Sequence, residues 1–154
     1  MKSDNLQIGI VRSVAEMEDA LSVRRAVFIE EQGVSETEEI DAYDGDPKRV
    51  TSSIHVIAYL DGRPVATGRL LLDALPGQNA YIGRVAVLRE YRGCGLGRMV
   101  MLALQKEAQC RGYFGITVAA QLHAIRFYES LGYSAYGDVF LDAGIEHRLM
   151  DLSL

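Results

Sequence analysis

The most informative stretch of this sequence is residues 82–97, which read Ile82-Gly83-Arg84-Val85-Ala86-Val87-Leu88-Arg89-Glu90-Tyr91-Arg92-Gly93-Cys94-Gly95-Leu96-Gly97. Small and β-branched apolar residues predict a strand over residues 81–88, and the apolar run Met99–Leu104 predicts a largely buried helix over 99–108. A glycine-rich turn at residues 92–98 lies between them. Free N–H groups at a helix start bind phosphate oxygens, and glycines allow close approach. The turn lacks the third glycine of the dinucleotide motif and the Lys-Ser/Thr of the P-loop, so it is neither of these.

The rest of the chain alternates strands and helices around this segment. Toward the amino end, we predict a strand over 6–11, a helix from the Ser13–Glu16 capping box to about Gln32, and a hairpin of strands 54–60 and 65–72. The first helix carries Met17, Ala20, Leu21, Arg24 and Phe28 at helical spacing. Toward the carboxyl end, we predict a strand over 114–118, a helix over 123–131 and strands over 134–141 and 145–152. The order β-α-β-β-β-α-β-α-β-β predicts one α/β (α+β) domain, residues 1–154, with a mixed central sheet flanked by helices.

The composition excludes several classes of protein. The 154 residues are 49% hydrophobic and 24% charged, which is typical of one globular domain. No apolar run approaches the ~20 residues that cross a bilayer, and residues 1–5 lack the apolar stretch of a signal peptide. Two cysteines without paired spacing predict reduced thiols, no metal site and a cytoplasmic protein. The net charge of −5 argues against nucleic acid as a partner.

The acidic residues are unevenly distributed. Eight of them lie between Glu30 and Asp46, a segment without Lys or Arg. In the rest of the chain, 16 basic residues stand against 13 acidic ones, which gives that part a charge of +3. Two interpretations stay open: a solvated acidic loop, or a patch that raises the local concentration of a cationic substrate.

Two segments together resemble the GNAT superfamily of acyl-CoA N-acetyltransferases. Residues 82–97 are similar to that family's β4–α3 segment, including the R-x-x-G-x-G pyrophosphate loop. Residues 124–133, AIRFYESLGY, are similar to its A-x-x-F/L-Y-x-x-x-G-F segment. Residues 27–34, the acids of the following segment and residues 144–150 resemble the YjcF/ElaA-like branch. The resemblance covers nearly the whole chain and agrees with the predicted order of elements.

The resemblance implies acetyl-CoA as co-substrate and suggests which residues bind it. Backbone groups of Val85 and Val87 would pair with the pantetheine arm as an added strand, with Ala86 between them in the same cofactor site. The Val87 N–H is also a candidate to polarise the thioester carbonyl. The pyrophosphate would lie on the loop residues Arg92, Gly93, Cys94, Gly95, Leu96, Gly97 and Arg98. Gln121 stands where the family usually has Asn, so its contact with the cofactor stays open. For Arg84, an ion pair within the sheet and a contact with the cofactor both stay open.

The resemblance also suggests residues for proton transfer. Tyr128 would lie near the thioester sulfur and protonate the departing thiolate, although an aromatic residue that packs beside Phe127 is the other interpretation. An amine must also lose a proton before or during its attack. His147 is the first candidate base and Glu31 the second, with an ordered water as the alternative.

These features predict an N-acetyltransferase that moves the acetyl group of acetyl-CoA to a primary amine of a small, cationic molecule. The amine would attack directly in a ternary complex, without a covalent enzyme intermediate. A catalytically weak CoA-binding regulatory protein of the same fold and a protein or peptide acetyltransferase are the alternatives. A homodimer stays open, and we expect neither a nucleic acid nor a membrane as partner.

Overall fold

A computed structural model describes residues 5–154; residues 1–4, which the sequence analysis assigns to the same domain, lie outside the described residues. In this described part of the chain, seven strands form one sheet in the spatial order β1-β2-β3-β4-β5-β7-β6. They are β1 Leu6–Ile10, β2 Ser53–Leu60, β3 Arg63–Leu71, β4 Asn79–Val87, β5 Gly115–Gln121, β6 Ser134–Asp142 and β7 Ile145–Ser153. Strands β4 and β5 pair in parallel, and the other neighbours pair antiparallel. The predicted α/β fold with a mixed sheet is confirmed, as is the order of its main elements.

Within residues 5–154, four α-helices accompany the sheet: α1 Val14–Arg24, α2 Glu36–Glu39, α3 Leu96–Cys110 and α4 Ile125–Ser130. The predicted start of α1 is correct, because the Ser13 hydroxyl accepts a hydrogen bond from the Glu16 N–H. The Glu16 carboxylate accepts from the Arg12 N–H. Short 3₁₀ turns cover Ala42–Asp44, Arg89–Tyr91 and Leu122–Ala124.

The predicted first helix changes its winding after Arg24. Residues Arg25–Glu31 form a π-helix, which continues α1 and ends at Gln32 and Gly33. Segments of π-helix are rare and often occur at functional sites. The predicted helix from the Ser13 cap to about Gln32 agrees with these combined bounds, but apolar spacing alone does not distinguish an α from a π winding.

The two faces of the sheet carry different helices. On β2, Val56 and Ala58 belong to the large apolar core that includes Val100 and Leu104 of α3. The residue between them, Ile57, belongs to a separate cluster with residues of α1. Side chains alternate between the faces of a strand, so α1 and α3 pack on opposite faces. Gly68 of β3 allows the close approach of α3, because a Cβ there would lie only 2.8 Å from Val100 Cγ1.

Two details of burial differ from the sequence analysis. Helix α3 is buried on one face only, so Met99 and Leu102, predicted to be largely buried, are exposed to solvent. Strand β5 begins at Gly115 and continues to Gln121, whereas Phe114 precedes it and is exposed. The longer β5 carries Gln121 to the end of a central strand, which matters for the site described next.

The described residues contain no helix that is both long and apolar enough to cross a membrane. Within residues 5–154, no group of three His, Cys, Asp or Glu side chains is arranged to hold a metal ion. Cys94 and Cys110 are both free and exposed. The cytoplasmic location and a homodimer stay predictions.

Candidate active site

The site lies where the two parallel strands separate. Strands β4 and β5 pair only from Asn79 to Ile82 of β4. Beyond that point β4 remains paired with β3 as far as Val87, and β5 with β7 as far as Gln121. The gap between them opens a cleft with a volume of about 910 Å³, within the range of small-molecule sites.

A β-bulge in β4 accompanies this separation. The pairing with β3 shifts between Thr67 and Arg69, and Arg84 opposite the shift has a φ of +53°. A bulge bends its strand and re-aims the side chains beside it. Arg84 Nε donates to the Glu39 backbone oxygen at 3.2 Å and also lies 3.2 Å from the Glu39 carboxylate. Arg84 is therefore an ion-pair partner that ties the bulge to α2.

After the bulge, the edge of β4 that faces the cleft pairs with no strand among residues 5–154. The Leu88 N–H donates to the Val65 oxygen of β3. Backbone groups alternate in direction along an antiparallel strand, so those of Val87 and Val85 face the gap. The Val87 oxygen accepts a hydrogen bond from Arg92 Nε at 2.9 Å, which agrees with this direction. Val85, Ala86 and Val87 all line the cleft.

The glycine-rich turn leads from this edge into α3. Gly93 and Gly95 have φ angles of +80° and +84°, which glycine adopts without strain. Gly95 is the N-cap of α3 and brings no side chain to the helix start, so the free N–H groups of the first turn have no side-chain acceptor from the cap. Six of the seven predicted loop residues line the cleft; Cys94 is exposed and is not among the lining residues.

Glu31, at the end of the π-helix, is bound to this loop. Its carboxylate oxygens accept hydrogen bonds from Arg92 at 2.8 and 3.0 Å and from Arg89 at 3.2 Å. The hydrogen bond from Arg92 lowers the pKa of Glu31 from its ordinary value, with a further contribution from Arg89. A carboxylate held by two arginines accepts a proton poorly. This geometry argues against Glu31 as a general base.

Tyr128 lies on the wall of the cleft and is more than nine-tenths buried. Its ring packs edge-to-face on Phe127 and Tyr133, with centroid distances of 5.1 and 5.7 Å. No described residue forms a hydrogen bond with its hydroxyl group. Burial raises the pKa of Tyr128, so the phenol is protonated at neutral pH. The residue thus packs beside Phe127 and also offers a proton donor to the cleft.

His147 lines the cleft from the other side, on β7. Its Nδ1 lies 2.6 Å from the Ile145 oxygen, and its ring stacks on Phe140. A backbone oxygen only accepts hydrogen bonds, so Nδ1 is a donor here, and in the neutral form of the ring the lone pair lies on Nε2. This tautomer leaves Nε2 as the nitrogen that can accept a proton.

Comparison with known proteins identifies the family. Residues 17–133 match the model of the Acetyltransferase (GNAT) family. The chain belongs to the GNAT acetyltransferase family. It is 35% identical over 142 residues to the uncharacterized N-acetyltransferase YjcF of Bacillus subtilis, covering 92% of this chain and 95% of YjcF. Its fold superposes on a candidate N-acetyltransferase of Lactobacillus plantarum with a TM-score of 0.84, 31% identity and coverage of 97% and 98%. It superposes on Escherichia coli ElaA with a TM-score of 0.80, 25% identity and coverage of 96% and 99%.

Membership of the GNAT family confirms the resemblance and makes the protein an acyltransferase enzyme. The cleft brings together most of the residues that the sequence analysis selected: β4 residues 85–87, the loop, Tyr128, Gln121 and His147. Glu31 lies at the loop without lining the cleft. The residues that line the cleft lie where the sequence analysis expected them, and their roles stay predictions.

Gln121 has a partner in this GNAT protein that the sequence analysis missed. Its Nε2 donates to Gln32 Oε1 at 2.9 Å, and Gln32 Nε2 donates to Gln121 Oε1 at 3.1 Å. Both residues line the cleft. Gln32 gave no signal of its own in the sequence beyond its place near the end of the first helix, and 89 residues separate it from Gln121.

The acidic segment, residues 30–46, is neither a simple solvated loop nor a patch of unpaired carboxylates. Five of its eight acids form ion pairs with arginines: Glu31, Glu36, Glu39, Asp41 and Asp44. At the centre, Arg24 is 1% exposed and contacts Glu39 at 2.8 Å and Asp44 at 2.6 Å. Burial raises the pKa of Asp44, but hydrogen bonds and charge from Arg24 outweigh it and leave this pKa well below its ordinary value. Arginines of the same chain therefore neutralise most of the negative charge of this segment.

Proposed function

We propose that this GNAT protein transfers the acetyl group of acetyl-CoA to a primary amine of a small molecule by direct attack. The observation that carries the proposal is the free backbone edge of β4, which opens into the cleft beside the uncapped start of α3. An extended thioester arm fits such an edge as an added strand, and a pyrophosphate fits the amides of a helix start.

The residues present fit the thioester arm and the diphosphate of acetyl-CoA. Val85 and Val87 direct their backbone groups into the gap, where they would pair with the amides of the pantetheine arm. Arg92 and Arg98 add positive charge on the lining of the loop, where the diphosphate would lie. In this arrangement Arg92 would exchange its contact with Glu31 for one with phosphate oxygens.

The chain's own groups supply the proton transfers. Nε2 of His147 takes a proton from the ammonium form of the acceptor, which frees the nitrogen lone pair for attack on the thioester carbon. The Val87 N–H stabilises the oxygen as negative charge develops on it. The C–N bond forms and the C–S bond breaks, and the Tyr128 hydroxyl gives its proton to the departing thiolate. The second proton that the nitrogen loses as it becomes an amide then restores the Tyr128 hydroxyl. A thiol titrates near ~8.5, so protonation of the thiolate assists the reaction without being obligatory.

Fewer residues support a positive charge on the acceptor than support an amine as the attacking group. With most of the acidic segment paired, Glu38 and Asp142 are the lining carboxylates that form no ion pair among residues 5–154. Both are exposed, so their attraction for a cation is screened by salt. The proposal that the acceptor is a cationic amine therefore rests on these two side chains, and not on the acidic segment as a whole.

The test combines binding with turnover. Calorimetry measures acetyl-CoA binding, and thiol release is followed with a panel of amines: an aliphatic monoamine, a polyamine, an amino acid, an amino sugar and a peptide with a free amino terminus. We expect binding and turnover with at least one small amine. Binding without turnover on every amine would support the regulatory alternative, and turnover on the peptide alone would support the protein acetyltransferase.

A further inference from the structure

Gln32 and Gln121 form a hydrogen-bonded pair in the lining of the cleft. Gln32 follows the π-helix, and Gln121 is the last residue of β5. Their reciprocal hydrogen bonds, at 2.9 and 3.1 Å, thus join the helix end to a strand that has already separated from β4. The two side chains are partly buried, so the bonds are shielded from competing water.

The same pair lies beside the candidate base. In the antiparallel pairing of β5 and β7, Gln121 stands directly opposite His147. Side chains of directly opposed residues lie on the same face, with Cβ atoms ~5 Å apart. His147 is fixed in turn by its Nδ1 contact with the Ile145 oxygen and by stacking on Phe140. Any acceptor that reaches His147 therefore lies next to the amide pair.

The side-chain amides of Gln32 and Gln121 can each form further hydrogen bonds with a ligand. Each has two N–H donors and an oxygen with two lone pairs, and the reciprocal pair uses one of each. One N–H and one lone pair thus remain on each amide, and both residues line the cleft. An acceptor with a polar group next to its amine could use them.

The length of Gln121 is essential to this pairing. Asn, the usual family residue at this position, is one methylene shorter, which is about 1.5 Å. Bonds of 2.9 and 3.1 Å would then stretch beyond 4 Å, too far for a hydrogen bond. Gln at position 121 reaches the helix end, whereas Asn would not.

We propose that Gln32 and Gln121 are a pair of positioning residues that orient the acceptor amine beside His147, and that Gln121 does not hold the cofactor. The inference rests on the proposed acetyl transfer and adds which residues place its second substrate. It predicts that the two glutamines act as one unit, although they are distant in sequence.

The test uses Gln32→Ala, Gln121→Ala, the double variant and Gln121→Asn, with Gln109→Ala as control. Gln109 is an exposed glutamine of α3 outside the cleft lining. The readouts are the KM and kcat for the best amine of the panel, and the Kd for acetyl-CoA by calorimetry. We expect each variant of the pair to raise the amine KM roughly three- to tenfold, as loss of one or two neutral hydrogen bonds would. The double variant should be no worse than either single one, and the Kd for acetyl-CoA should stay within twofold throughout.

Other outcomes would overturn the inference. A Kd for acetyl-CoA that changes in the Gln121 variants and not in Gln32→Ala, above all tighter binding by Gln121→Asn, would make Gln121 a cofactor contact. Unchanged constants in all variants would make the pair merely structural, and additive effects would make the two residues independent. If the wild-type protein turns over no amine, the proposed function fails, while the calorimetry still decides whether Gln121 touches the cofactor.

Discussion

The assignment of the cofactor loop can be tested at Gly95 with a matched control at Gly62. Both glycines have a positive φ, +84° and +81°, and a Cβ added at either meets no protein atom within 4 Å. Gly95 lines the cleft at the start of α3, whereas Gly62 lies in the hairpin turn between β2 and β3, outside the cleft lining. Replacing each by Ala imposes the same backbone strain, but only one change lies where the phosphates would bind.

The structure sets the expected magnitudes. An L-residue at such a φ costs about 1–2 kcal/mol, so both variants should unfold more easily by a similar amount. For a chain of this size, 1 kcal/mol lowers Tm by roughly 2–4 °C. At Gly95 the new methyl group, or a shift of the loop to relieve the strain, also disturbs the amides of the first turn. Loss of one hydrogen bond to a charged phosphate, about 1.5–3 kcal/mol, raises the Kd for acetyl-CoA tenfold or more.

The assay is calorimetric titration of acetyl-CoA into both variants, together with thermal unfolding without ligand. Gly62→Ala should bind acetyl-CoA as the wild type does, although its Tm falls. Gly95→Ala should show a similar fall in Tm and a Kd at least tenfold higher. Equal affinity in the two variants, at equal loss of stability, would refute the assignment of the phosphates to this loop.

Three further changes test other parts of the site. Tyr128→Phe keeps the packing and removes the proton donor, so kcat should fall by ~10²-fold or less at unchanged acetyl-CoA affinity; wild-type kcat with rate-limiting chemistry would exclude the acid role. Glu31→Gln frees Arg92 for phosphate, so acetyl-CoA should bind up to about fivefold more tightly at low salt and less so at high salt; weaker binding would mean that Glu31 instead orients Arg92. Because the pKa of Asp44 is lowered in the folded protein, its ion pair with Arg24 stabilises the fold above the ordinary Asp pKa of about 3.9, and this stability is lost as the pH falls below that value. Asp44→Asn should therefore be less stable at pH 7 by about 3–5 kcal/mol and lose less stability on acidification, as measured by urea unfolding at both pH values.

The features that the sequence predicted well are those encoded by neighbouring residues. The strand–turn–helix unit at residues 82–98 needs only glycines at fixed positions between two apolar stretches, and the structure has this unit with Gly93 and Gly95 at positive φ. Tyr128 was found in the same way, from a local motif on a short helix. Local patterns suffice where one element and its turn build the feature.

Features that depend on distant partners were missed. The bulge at Arg84 arises from a pairing shift against β3, and no residue type in β4 alone demands it. The hydrogen-bond partner of Gln121 was also missed, because Gln32 lies 89 residues away; the cofactor contact considered for Gln121 came only from its position in a motif. A side chain's role at a cleft depends on what faces it, and a single sequence does not contain that information.

The acidic segment is different, because the sequence did contain a signal that it is paired. Arg24 stands at an apolar position of the first helix, in the row with Met17, Leu21 and Phe28, and the structure buries it. A buried guanidinium is tolerated only when carboxylates satisfy it, since an unpaired charge in the interior costs several kcal/mol. The eight acids from Glu30 to Asp46, in a segment without Lys or Arg, are the nearest source of such carboxylates. An arginine within an apolar stripe therefore indicates that a neighbouring acidic segment folds back onto it, and carboxylates paired in this way contribute little to attracting a cationic substrate.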